Sequence, residues 1–62
     1  MFAIKHNDLQ YVGMSAMGHM RFVHPDMYMN RYLTYEEAEK EMKEQDMLHF
    51  LCVEILTIVQ IS

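Results

Sequence analysis

A single cysteine, one proline, two glycines and no tryptophan in 62 residues set the first limits on this chain. One cysteine excludes an intrachain disulfide, and so sparse a use of proline and glycine excludes a collagen-like or low-complexity segment. Basic residues are also few. Five stand against nine acidic ones, for a formal net charge of −4, which argues against the clustered Lys and Arg of a direct nucleic-acid partner. The longest apolar stretch lies near the C-terminus and is interrupted by Glu54, Thr57 and Gln60. A bilayer span needs about 20 predominantly apolar residues, so no membrane partner is expected. Residues 1–6 have no basic start ahead of a long apolar run, which predicts no cleaved secretory signal, and a lone cysteine fits a reducing, cytoplasmic compartment.

What is present is an apolar fraction of 52%, enough for a globular fold of one domain over residues 1–62. A chain of this size buries only about 60% of its unfolded surface, and its stability as an isolated monomer comes out near zero. With disulfides excluded, the usual supplements are a metal or a second copy of the chain, and a homo-oligomer is expected.

Phe2-Ala3-Ile4-Lys5-His6 and Leu9-Gln10-Tyr11-Val12-Gly13-Met14 flank Asn7-Asp8. Asn and Asp tolerate turn conformations, so the pattern predicts a hairpin with strands at 1–6 and 9–15. Met20 to His24 reads as a third strand closed by Pro25, since the residue before proline is pushed to extended backbone. Pro25-Asp26 then turns the chain, and 27–33 reads as a loop with a short extended piece. Thr34-Tyr35-Glu36-Glu37 is a capping box: the threonine oxygen accepts the N–H three residues on, and the glutamate reaches back to the threonine N–H. Leu33 and Ala38 would staple that start. Glu36 with Lys40 and Glu39 with Lys43 stand in the favourable i,i+4 order. Tyr35, Ala38 and Met42 form the apolar stripe, which fails at Gln45 and Asp46 and ends the helix at 45–48. Cys52 to Ile61 reads as a strand apolar on both faces, hence interior to the sheet or set against a second subunit. The predicted fold is α+β, a small antiparallel β-β-β-α-β sheet with one helix packed on one face.

Phe2-Ala3-Ile4-Lys5-His6, Gln10-Tyr11-Val12-Gly13, the run from Arg31 to Glu39 and Val53-Glu54-Ile55 together resemble small accessory proteins of tailed bacterial viruses. The resemblance covers most of the chain. It implies a cytosolic protein made early in infection that binds and blocks a host enzyme or defence factor, and it supplies no catalytic residue.

Charge is concentrated in the helix, where six acidic residues face two lysines, while three acidic and three basic residues balance elsewhere. Glu37, Glu41 and Glu44 recur at helical spacing along one flank without a lysine among them. Methionine is the outlier, with eight residues. Met14, Met17 and Met20 around His19 have the softness for Cu(I), but unbranched methionine more often fills small cores and adaptable interfaces. His19, His24, His49 and Cys52 would form a zinc site only if residues 19 and 24 reached the helix end. Cys52, opening an apolar strand, reads as a small buried hydrophobe. No metal and no cofactor are expected. Ser15, Cys52 and Ser62 have no phosphate loop or nucleophile elbow around them. A single sheet with one helix also leaves little room for a cleft of about 300 Å³, and an enzyme is not expected.

Tyr11, Tyr28, Tyr32 and Tyr35, with Phe22 and the methionines, exceed what one helix can cover. Tyrosine and methionine are interface residues. The expected partner-binding residues are therefore Met27, Tyr28, Met29 and Tyr32 as the apolar anchor, with Glu37, Glu41 and Glu44 as the charged rim, directed at a host protein. A homo-oligomeric regulatory protein, or one that sequesters a small molecule between subunits, is the alternative.

Overall fold

The computed structural model describes residues 1–14, 17–25 and 28–61. Strands β1 (Phe2–Asn7) and β2 (Gln10–Met14) form the expected hairpin. Its turn lies one residue later than predicted, at Asp8 and Leu9. Asn7 closes β1, and its side-chain Oδ1 accepts the Leu9 N–H at 2.9 Å, an Asx turn in which the side chain imitates a backbone carbonyl. The pairing shifts from Lys5↔Tyr11 to Asn7↔Gln10, so a bulge absorbs the extra residue. Strand β3 (Met20–Val23) pairs antiparallel with β2 and stops before His24. Helix α1 (Tyr35–Glu44) and a short α2 (Met47–Phe50) precede β4 (Thr57–Gln60). The sheet order is β3-β2-β1-β4, the predicted α+β architecture with the helix packed on one face.

The core is built from Ile4, Val12, Ala38 and Met47, all fully buried, with Met20, Phe22, Tyr32, Met42, Leu56 and Ile58 packed against them. The expected apolar stripe on α1 is present in Ala38 and Met42, while Tyr35 is exposed and meets the ring of Phe2 edge-on. The helix ends at Glu44 because Asp46 takes a left-handed conformation, φ 48. Residue 46 then restarts the chain as α2, which brings Met47 down into the core.

Two expectations about the C-terminal segment are corrected. β4 is an edge strand of four residues, hydrogen-bonded only to β1 among the described residues. The interior positions belong to β1 and β2, where consecutive residues Ala3-Ile4 and Val12-Gly13 are buried on opposite faces. Within the single chain the two-sided apolar pattern of 52–61 divides between a helix cap and a short strand. Cys52 and Val53 cap α2, and Ile55 lies 69% exposed ahead of the strand. Cys52 itself is exposed with φ 56. Its N–H donates to His49 O and the Val53 N–H to Leu48 O, the paired bonds of a Schellman motif with cysteine where glycine is usual.

Segment 28–32 is the expected loop with short extended pieces. It is wedged between the open ends of β1 and β2, where Met29 bridges Gly13 and Tyr32 bridges Phe2. The Asn30 N–H donates to Val12 O, and Phe2 and Tyr32 exchange both backbone bonds at 2.8 and 2.9 Å. The Tyr28 carbonyl lies over the sheet face opposite the helix, against Gly13, whereas the Tyr32 side chain packs into the core on the helix side. The chain thus crosses the sheet through the split in the first hairpin and emerges at the start of α1.

Candidate partner-binding surface

The capping box positions the acidic flank. The Glu37 N–H donates to Thr34 Oγ1 at 3.1 Å, and Glu37 Oε2 accepts the Leu33 N–H at 3.2 Å. The return bond therefore reaches one residue further back than the expected Thr34 N–H. Leu33 is 69% exposed, so the expected staple with Ala38 does not bury it. The ion pairs along the helix are Glu39–Lys43, as expected, at 3.6 Å and Lys40–Glu44 at 3.9 Å. Lys40 thus turns toward Glu44 in place of Glu36.

That rotation matters for the surface. Tyr32, Glu37, Lys40, Glu41 and Glu44 line one groove of about 250 Å³. Four of the residues expected to bind a partner are brought together there, and Lys40 is an addition. Its position three residues after Glu37 and four before Glu44 was the available signal. Three carboxylates against one ammonium leave the groove net negative. Tyr32 lines it half-buried, and Asn30 Nδ2 donates to its hydroxyl at 3.3 Å. Burial raises the Tyr32 pKa above the usual phenol value; the Asn30 hydrogen bond opposes that shift, and the nearby Glu41 charge adds to it. Desolvation and a like charge both penalise tyrosinate, so Tyr32 remains a neutral hydroxyl.

The other expected anchors lie elsewhere. Tyr28 is 64% exposed, and its ring centroid sits 6.0 Å from the Arg21 guanidinium, away from the acidic groove. Met29 is half-buried beside Gly13, and Met27 lies outside the described residues. The predicted combination of a Tyr28 anchor with the helix flank is therefore split between two faces.

Two further depressions, both open to solvent, lie elsewhere on the surface. One of about 440 Å³ is lined by Met14, Gly18, His19, Met20, Gln45 and Phe50, and one of about 460 Å³ lies beside His6 and residues 52–55. The zinc arrangement required both His19 and His24 at the helix end; His19 shares a depression with Gln45 at the end of α1, His24 is not among its lining residues, and Cys52 lines the other depression. Among the described residues no three His, Cys, Asp or Glu side chains are grouped to hold a metal. No helix there is long and apolar enough to cross a membrane. No protein-family model, curated protein or solved structure matches the chain.

Proposed function

We propose that this chain is a protein-binding module of the bacterial cytosol that blocks a host enzyme or defence protein, as its resemblance to accessory proteins of tailed bacterial viruses implies. In this reading the groove along α1 receives a basic side chain of that partner. The observation that carries it is the meeting of Tyr32 with Glu37, Glu41 and Glu44 in one groove. A cation is attracted to a phenol face within about 6 Å, and the surrounding carboxylates steer it there. Glu41 is the carboxylate left for such a contact, since Glu37 caps the helix and Glu44 pairs with Lys40.

The test is capture of a partner from bacterial lysate on the immobilised chain, followed by rate measurements with the identified protein. Glu41→Lys combined with Glu44→Lys should slow association and flatten its salt dependence, and Tyr32→Ala should speed dissociation. Arg21→Glu, on the other face, should change neither. A partner held equally well by the double lysine variant would move the surface elsewhere. Recovery of a small ligand and no protein would favour the alternative, sequestration of a small molecule between subunits.

A further inference from the structure

The ladder between β1 and β4 fixes which backbone groups of β4 face outward. Phe2 spends both its N–H and its C=O on Tyr32, and the Ile61 N–H donates to Met1 O. In an antiparallel pair, bonded and non-bonded residue pairs alternate. Ala3↔Val59 and Lys5↔Thr57 are then the bonded pairs, and Phe2↔Gln60 and Ile4↔Ile58 the non-bonded ones. The N–H and C=O groups of Ile58 and Gln60 consequently point away from the sheet, and no described residue bonds to them.

From this edge we infer that two copies of the chain pair through antiparallel β4 strands, joining two four-stranded sheets into one of eight strands. The edge has the properties such a contact needs. No charged side chain lies between Ile55 and Ile61, so self-pairing over that run sets no like-charged side chains opposite each other, and the run is dominated by Ile, Val, Leu and Thr, residues that suit pairing. A two-fold axis at Ile58 would set Ile58 against its own copy, Leu56 against Gln60, and Ile55 against Ile61. That register covers Ile55, which the single chain leaves 69% exposed. The opposite edge is guarded: β3 carries the exposed Arg21 and is followed by His24-Pro25. Pairing of β4 with β3 of another copy would be head-to-tail and would not close, whereas β4 with β4 is isologous and does.

The test combines mass and amide exchange, and it does not depend on the groove. Light scattering from micromolar to millimolar concentration should reach twice the 7.5 kDa chain mass. In the associated state the Ile58 and Gln60 amides should exchange slowly, with the Val59 amide, bonded to β1, protected in either state. Gln60→Pro removes an outward N–H while leaving the bonds to β1 in place, and proline is tolerated at such edge positions. It should return the mass to that of one chain, with an unchanged circular-dichroism spectrum; Gln60→Ala should remain paired. A single-chain mass throughout, or a doubled mass with fast Ile58 and Gln60 amides, would overturn the inference. If Gln60→Pro does not fold, the exchange pattern of the unaltered chain decides alone.

Discussion

Gly13 lies directly beneath the backbone carbonyl of Tyr28, so close that a Cβ at position 13 would overlap that oxygen and sit 2.8 Å from Val23 Cγ2. The neighbour is backbone, held in place by the Met29 bridge and the Asn30 bond to Val12, and it has no rotamer by which to escape. Gly13→Ala should lower stability by roughly 2–3 kcal/mol, as overpacking against fixed atoms does. Gly18→Ala meets no atom within 4 Å and is penalised only through its φ of +81, roughly 1–2 kcal/mol. Urea midpoints of the two variants should fall in that order, and the reverse order would mean that segment 28–32 does not cross at Gly13.

Thr34→Ala removes the side-chain acceptor at the start of α1 and should cost about 1 kcal/mol. Glu37→Ala removes the other half of the box at Leu33. Because the two side chains serve one helix start, their losses should be non-additive in a double-mutant cycle. Additive losses in thermal melts would separate the two bonds.

Cys52 holds a left-handed conformation with an exposed side chain. Relief of the Cβ clash at such a position exceeds the added flexibility of glycine in the unfolded chain, so Cys52→Gly should raise stability by roughly 0.5–1 kcal/mol. Cys52→Val, which a buried strand residue would accept, should instead lower the melting temperature.

The raised pKa of Tyr32 makes stability depend on alkaline pH. The unfolded chain releases the phenol proton near pH 10, about its ordinary value, while the folded chain retains it to higher pH. The contribution is complete below the unfolded pKa and is lost as pH rises through the folded one. Melting temperature should fall more steeply above about pH 10 in the parent chain than in Tyr32→Phe, which has no proton to lose. Equal slopes would assign the alkaline loss to other groups.

The sequence by itself determined the elements whose signals are local. Asn7 and Asp8 between β-prone runs mark the hairpin, Thr34 and Glu37 mark the helix start, and a 3.6-residue period joins Ala38 to Met42 and Glu37 to Glu41 and Glu44. Each depends on residues within a turn or two of one another, so spacing alone reports it. Tertiary structure decided what depends on residues far apart in the chain. Cys52 to Ile61 is apolar on alternate and intervening positions alike, a pattern equally compatible with an interior strand and with a helix cap followed by an edge strand; pairing with β1 and the left-handed Cys52 select the second. Tyr32 and Tyr28 are four residues apart and read alike as exposed aromatics. The passage of the chain between β1 and β2 sends one to the lining of the acidic groove and the other to Arg21 on the opposite face. That passage requires the hairpin to open and Gly13 to lack a side chain, a relation between residues 2, 13 and 28–32 that no local spacing encodes.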